Sequence, residues 1–414
     1  MKTVGVIGLG YVGLPLALTF AEAGFSVIGF DVDPEKPRKL RKGETYLRHI
    51  SSERIRAARA FEATTDYAQA ARCDALCICV PTPLTAAREP DLSYIVQTCE
   101  ALKPHLRPGQ LIVLESTTYP GTTAEVVRPI VGPDVLLAFS PEREDPGNAR
   151  FDTKSIPKIV GADDEASREA ARALYERALD KVVVVSSTRA AELTKLLENI
   201  FRGVNIALVN ELKLLCEAMG IDVWEVIDAA ATKPFGYMPF WPGPGLGGHC
   251  IPIDPFYLTW KAREFGFATR FIELAGEINT AMPAHVVSRI QDALNERSRA
   301  LRGSRVLLLG VAYKANVDDV RESPALALLE KLLEKGAQVS YHDPHVPQIP
   351  RTRRGTPQLV SEPLTDEALR GCDCAVIVTA HAAVDYARVV SLAPLVIDTR
   401  GATRGLNALN VVTA

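Results

Sequence analysis

The chain has 414 residues, 47 of them basic and 50 acidic, with a formal net charge of −3. That length exceeds what one core organises and implies two or three domains. The near-balance of charge removes any global electrostatic case for binding nucleic acid or an anionic membrane, so an anionic ligand must be caught locally.

Thr3 to Ile7 is a continuous apolar run of the buried parallel-strand type. It is followed by Gly8-Leu9-Gly10-Tyr11-Val12-Gly13 and by a helical pattern from Leu14 to Ala23 that stops near Gly24. Strand, glycine turn and helix in this order predict a dinucleotide site. Gly8 makes the turn, Gly10 admits the pyrophosphate, Gly13 lets helix and strand approach, and the helix N-terminus favours the phosphates. The next strand, Ser26 to Phe30, ends at Asp31, where an acid meets the adenosine ribose hydroxyls. Asp33, with no arginine directly after Asp31, favours NAD over its 2′-phosphorylated form. Further strands are expected at Ala75–Val80, Gln110–Glu115, Val135–Ala138 and Val182–Val185, with helical spacers between several of them. That alternation implies a doubly wound parallel sheet.

From Ala190 to about Ala218 the period becomes helical, with Leu193, Leu196, Leu197, Ile200, Val204, Leu208 and Leu212 on an apolar stripe. A second long helix is expected from roughly Phe271 to Leu301, interrupted early by Pro283. The third part repeats the first in degenerate form: a strand in Gly303 to Gly310, a helix from Pro324 to Lys335, and a strand from Gln338 to His342 before Asp343. Val311-Ala312-Tyr313-Lys314 replaces the glycine fingerprint, so this half has lost dinucleotide binding and keeps a crevice for another nucleotide. Pro347 to Pro363 reads as a surface loop. The expected fold is α/β: two Rossmann-like doubly wound domains, 1–188 and 303–414, joined by a central helical domain, 189–302, with a long helix.

Between the long helices lies Gly243-Pro244-Gly245-Leu246-Gly247-Gly248-His249-Cys250-Ile251-Pro252-Ile253-Asp254-Pro255. It presents one cysteine on a glycine-rich turn stiffened by prolines, with a carboxylate four residues on, which is a nucleophile's seat. His249 beside it reads as a supporting or structural residue. The other chemistry of the chain is plain. Cys77/Cys79 and Cys372/Cys374 lie on apolar runs as packing thiols, the seven histidines form no metal motif, and His342 and His345 read as surface residues. The start at Met1-Lys2-Thr3 has no signal-peptide pattern and no run of about 18 apolar residues occurs, so a cytoplasmic location is expected.

These motifs resemble the UDP-glucose/GDP-mannose dehydrogenase family over essentially the whole chain. The resemblance rests on the glycine fingerprint, Val80-Pro81-Thr82-Pro83, Glu115-Ser116-Thr117, Ser140-Pro141-Glu142, Lys195-Leu196-Leu197-Glu198-Asn199, the cysteine loop, and Ala312-Tyr313-Lys314 followed by Asp319-Val320-Arg321-Glu322-Ser323-Pro324. It implies NAD-dependent oxidation of a nucleotide sugar's C6 alcohol to a carboxylate. Cys250 is then the nucleophile, Lys195 and Asp254 flank a catalytic water, Thr117 is a further water ligand, and Glu142 is the base for thioester hydrolysis. Asn199 lies one helical turn from Lys195, on the same face.

The resemblance also implies cofactor contacts from Gly8, Gly10, Tyr11, Val12, Gly13, Asp31, Thr82, Thr117 and Arg321. Substrate contacts are implied for Glu142, Arg143, Lys195, Asn199, Gly247, Tyr313 and Lys314. Taken alone, Glu142 and Thr117 read as loop or capping residues, Lys195 as part of a solvated helix face, and Lys314 and Arg321 as surface charges. The UDP-glucose branch carries Gly-Phe-Gly-Gly-x-Cys and then x-Lys-Asp; here Leu246, His249 and Ile253 stand instead. The loop is more similar to members acting on UDP-N-acetylhexosamines, with UDP-glucose as the alternative substrate. A two-electron 3-hydroxyacid dehydrogenase and an NAD-responsive redox sensor are the rival classes. A homodimer or a multiple of one, paired through the long helix, and a role in surface polysaccharide synthesis complete the expectation.

Overall fold

The structure is a computed structural model. It describes residues 1–47, 50–85, 89–143, 152–248, 251–350, 358–406 and 408–414. The chain divides into two compact units, residues 1–198 with 256–268, and residues 199–255 with 269–414. Among the described residues no helix is long and apolar enough to cross a membrane.

The first unit holds an eight-stranded sheet built from β1 (Thr3–Ile7), β2 (Ser26–Phe30), β3 (Phe61–Thr64), β4 (Ala75–Ile78), β5 (Leu111–Leu114), β6 (Leu136–Phe139), β7 (Lys158–Gly161) and β8 (Val182–Val185). The order is β3-β2-β1-β4-β5-β6-β7-β8. β1 to β6 pair in parallel, β7 meets β6 antiparallel at Phe139 and Gly161, and β8 runs parallel to β7. The last two strands therefore reverse the expected all-parallel sheet. Successive strand residues face opposite sides. Val4, Val6, Cys77 and Val113 pack with Leu14, Phe20 and Tyr175 on one face, while Ile7, Ile78, Ile112 and Leu114 pack with Ile95, Cys99 and Leu102 on the other. Both faces are covered by helices, which explains why the strands read as continuous apolar runs rather than alternating ones.

In the second unit β9 (Arg305–Leu309), β10 (Gln338–His342), β11 (Cys374–Ile377), β12 (Val396–Asp398) and β13 (Val411–Thr413) form a parallel sheet in the order β10-β9-β11-β12-β13. Leu328, Leu332, Val286 and Ile290 cover one face, and Val389, Leu369 and Val384 the other. This is the second Rossmann-like sheet. The long helix runs Thr188–Met219 and the later one Arg270–Asn295.

Two expectations fail here. Pro283 does not interrupt the later helix, which continues through it. A proline deprives the carbonyl four residues earlier of its helical donor. That carbonyl, on Asn279, lies where a Cβ added at Gly245 would come within 3.4 Å, and the Pro283 ring is 3.5 Å from the same point. The glycine turn packs onto the proline site, so the ring becomes a packing surface rather than a break. His342 and His345 are half-buried rather than on the surface. The His342 ring meets the Glu362 carbonyl oxygen at 2.8 Å, and the His345 ring lies 4.9 Å from that of buried His381.

His381 belongs to the device that separates the two halves. Asp343 ends β10 as Asp31 ends β2, and each carboxylate accepts the N–H of the turn after the preceding strand: Leu9 N to Asp31 at 2.8 Å, Val311 N to Asp343 at 2.7 Å. Asp343 also accepts from Ala312 N, His345 N, Val346 N and the His381 ring, the last at 3.0 Å. His381 Nδ1 accepts the Asn316 N–H, so Nε2 carries the proton given to Asp343. A carboxylate offers about four acceptor positions. Those of Asp343 are spent internally, so it has none for a ribose.

Burial works against the charged form of Asp343, but the His381 bond and the backbone donors outweigh it and hold its pKa at about 2. Because the folded value lies below the unfolded one, this stabilisation is present above the ordinary carboxylate range and is lost as pH falls through about 2. It amounts to about 2 kcal/mol. Chemical denaturation as a function of acid pH should show this increment in the wild-type chain and its disappearance in Asp343→Asn.

Candidate active site

The cofactor turn is shaped by three glycines with different duties. Gly8 sits at φ +90°, and a Cβ there would lie 2.6 Å from the Cys79 carbonyl oxygen. At Gly13 it would lie 1.9 Å from the Gly8 carbonyl oxygen, whereas at Gly10 it would meet nothing within 4 Å. Gly8 and Gly13 therefore serve the fold, and Gly10 leaves open room for a pyrophosphate. The helix Gly13–Glu22 starts after Val12 with no side-chain cap, as an anion-binding N-terminus requires. Tyr11 is exposed beside it.

Buried Asp31 accepts from Leu9 N, from Lys36 Nζ at 2.8 Å and from Asp33 N at 3.0 Å. Three bonds leave one acceptor position of about four for a ribose hydroxyl. Lys36, overlooked in the sequence, partly neutralises the acid. Tyr46, overlooked likewise, donates to the Leu9 carbonyl oxygen at 2.6 Å. Burial, then Asp31 and Asp33, push its pKa well above the usual tyrosine range, so it remains a donor. These residues fit a dinucleotide.

Elsewhere in the first unit, Thr82 Oγ1 donates to the Thr117 carbonyl oxygen at 2.7 Å, joining two predicted residues, and Tyr257 donates to the Thr82 carbonyl. Lys195 is buried at 8 % exposure on the long helix. Three residues before it, Glu192 is fully buried and accepts from Gly121 N at 2.5 Å, Thr123 N at 2.8 Å and Thr123 Oγ1 at 2.6 Å. Burial raises the Glu192 pKa against these three donors. The anchor fixes the start of the helix and with it the site of Lys195. Arg143 binds Glu198 at 2.7 Å and the Pro157 carbonyl at 2.6 Å. Glu142 lies 3.8 Å from Lys158 Nζ, which in turn contacts Glu115.

In the second unit Asn199 Nδ2 donates to Asp254 Oδ2 at 2.5 Å, and Asp254 is buried. The glycine loop packs closely on the C-terminal sheet's connections. A Cβ at Gly247 would be 2.8 Å from Tyr313 Cβ, Gly248 stands at φ +92° against the Tyr313 ring, and Gly248 N donates to the Arg321 carbonyl at 3.0 Å. Asn210 accepts the Gly243 N–H at 3.0 Å and donates to Asn279.

Arg321 is held by Asp319 through Nε and through Nη2, the latter at 2.6 Å. Lys314 is half-buried next to Tyr313. A residue missed in the sequence, Arg400, lies over Gly243, where a Cβ would fall within 2.4 Å of its Nη1. Burial lowers the Arg400 pKa to about 10, with Asp398 opposing. Its signal was the polar Thr399-Arg400-Gly401 directly after β12. Cys250 and His249 lie outside the described residues.

The glycine geometry separates cofactor binding from folding. Gly10→Val should weaken NAD binding at least tenfold, about 1.4 kcal/mol, with little change in Tm. Gly13→Val should lower Tm as well as affinity. Calorimetric titration and thermal unfolding of the two variants check both.

Comparison with known proteins gives a consistent result. Residues 2–179 match the NAD binding domain of the UDP-glucose/GDP-mannose dehydrogenase family, residues 189–281 its central domain and residues 307–405 its UDP binding domain. The chain is 34% identical over 388 residues to a UDP-N-acetyl-D-mannosamine dehydrogenase of Methanococcus maripaludis, covering 92% of this chain and 86% of that one. It is 35% identical over 352 residues to a UDP-N-acetyl-D-glucosamine 6-dehydrogenase of Pseudomonas aeruginosa, covering 83% of each. The solved UDP-D-ManNAc dehydrogenase of Pyrococcus horikoshii superposes with a TM-score of 0.89 at 31% identity, covering 100% of this chain and 98% of that one. With all three family domains in order, an intact glycine turn and a buried acid after β2, the chain belongs to the UDP-glucose/GDP-mannose dehydrogenase family and is an NAD-dependent nucleotide-sugar dehydrogenase.

Proposed function

We propose that this enzyme oxidises the C6 hydroxyl of a UDP-N-acetylhexosamine, the glucosamine or mannosamine form, to the uronic acid by removal of four electrons. The observation that carries the reading is the Asn199–Asp254 hydrogen bond, which ties the face of the long helix to the carboxylate four residues beyond Cys250. The names of the relatives support the N-acetylated sugar. UDP-glucose is the alternative.

NAD, when bound, accepts hydride from C6 in each of two oxidations. The first turns the alcohol into an aldehyde, the hydroxyl proton passing to the water flanked by Lys195 and Asp254. The Cys250 thiolate then adds to the aldehyde carbon, making it tetrahedral with a hydrogen that can leave as hydride, and the second oxidation yields a thioester. Water attacks the thioester and expels the thiolate, restoring Cys250 and releasing the carboxylate. Lys195 balances developing negative charge on the C6 oxygen, and Asn199, Asp254 and Thr117 orient that oxygen and the water. Glu142 takes the proton of the attacking water. Arg143, Gly247, Tyr313 and Lys314 receive the nucleotide sugar, and Tyr11, Val12, Thr82 and Arg321 join the cofactor's surroundings.

We assign residues 1–188 to cofactor binding, 189–302 to the central helical part and 303–414 to UDP-sugar binding. The long helix leaves Leu193, Leu197, Phe201, Leu208, Leu212, Leu215 and Met219 exposed at helical spacing. A stripe of that length supports pairing with a second copy. A cytoplasmic enzyme supplying acidic sugars to surface polysaccharide fits the product's chemistry.

Purified enzyme should release two NADH per UDP-N-acetylhexosamine consumed; one NADH with free aldehyde would refute the four-electron route. Cys250→Ser should slow turnover by orders of magnitude with NAD affinity near normal. Light scattering should find a dimer or larger, and Leu197→Asp with Leu208→Asp should dissociate it. An unchanged assembly would move the interface elsewhere.

A further inference from the structure

The first unit buries a charged cluster that the reaction scheme does not use. Glu115 follows β5, Lys158 opens β7, and Tyr175 comes from the helix Glu165–Glu176. All three side chains are buried. Lys158 Nζ contacts one Glu115 oxygen, the Tyr175 hydroxyl donates to the other, and the Lys158 ammonium also lies 5.4 Å from the Tyr175 ring centroid. Glu142 Oε2 stands on the open side of Lys158 at 3.8 Å. A narrow cleft lies here, bounded by Leu16, Arg143, Pro157 and Leu179 together with Glu142 and Lys158.

We propose that Lys158 is a positioning residue for thioester hydrolysis: clamped from behind by Glu115, its ammonium holds the Glu142 carboxylate aimed for the water that releases the product. The inference rests on Glu142 being the base. A buried lysine with one carboxylate partner would be a local structural pair. This one faces two carboxylates, one with both oxygens bonded inside the fold and one at the cleft. Burial works against the ammonium, yet Glu115 and then Glu142 outweigh it and keep Lys158 charged. Among the described residues, the other titratable groups beside this pair are neutral or already paired. Burial pushes the Cys77 and Cys79 thiols and the Tyr175 hydroxyl far above their ordinary ranges, and Arg143 is paired with Glu198. Removing Lys158 takes away the ammonium that orients Glu142, and removing Glu115 loosens the clamp that holds that ammonium in place.

The test follows decay of the acyl adduct on Cys250 by rapid quench and intact-mass spectrometry, with the NADH burst measured alongside. Lys158→Met should slow adduct decay by about tenfold or more while the NADH burst stays near normal, Glu115→Gln should slow it to a lesser degree, and Lys158→Arg should keep most of the wild-type rate. A general structural lesion would lower burst and decay together. Unchanged adduct decay in a folded Lys158→Met overturns the proposal; if Lys158→Met fails to fold, unchanged decay in Glu115→Gln overturns it. Glu142→Gln tests the underlying reading separately. A persistent adduct supports the base role, and normal turnover removes that role whatever the Lys158 variants show.

Discussion

At Gly13 an added Cβ would lie 1.9 Å from the Gly8 carbonyl oxygen. The cofactor turn exists because that atom is missing. A related constraint recurs in the cysteine loop, where a Cβ at Gly247 would lie 2.8 Å from Tyr313 Cβ and Gly248 adopts φ +92° against the Tyr313 ring. In both places the glycines do more than loosen the chain, since they set how closely a parallel sheet's connections can be approached. Both glycine segments are thus built from close backbone packing.

The charged groups follow a second rule, that burial is tolerated only with partners. Glu192 is fully buried with three donors, and Glu115 with an ammonium and a phenol. Asp31 and Asp343 show how the same rule separates two related sheets. Both cap the turn after the first strand of their half, but Asp31 keeps an acceptor position while Asp343 is saturated by backbone and His381. The later turn also runs from Leu309 to a helix that starts only at Pro324, so no helix N-terminus stands directly after β9. The two turns thus differ in local electrostatics and geometry.

Much was legible in the residues themselves. Apolar runs at 3–7, 26–30 and 182–185 became strands with those bounds, and the glycine turn, Asp31 and the long helix lie where periodicity and spacing place them. β7 was missed because Lys158-Ile159-Val160-Gly161 is short and opens with a charge, and only the sheet reveals that the charge is neutralised by Glu115. Pro283 was misread because its cost depends on what meets the Asn279 carbonyl, which comes from a segment far away in the chain.

Sequence alone determined the strand and helix periods, the dinucleotide turn and the residue types available for chemistry, since these depend on local sterics and on spacing along the chain. Tertiary structure decided the pairings. Lys158 faces both Glu115 and Glu142, Asn199 meets Asp254, His381 silences Asp343, and Gly248 lies on Tyr313. Each joins residues distant in sequence, and the free energy of a buried charge or a close backbone contact is set by the neighbour that arrives only when the sheet closes.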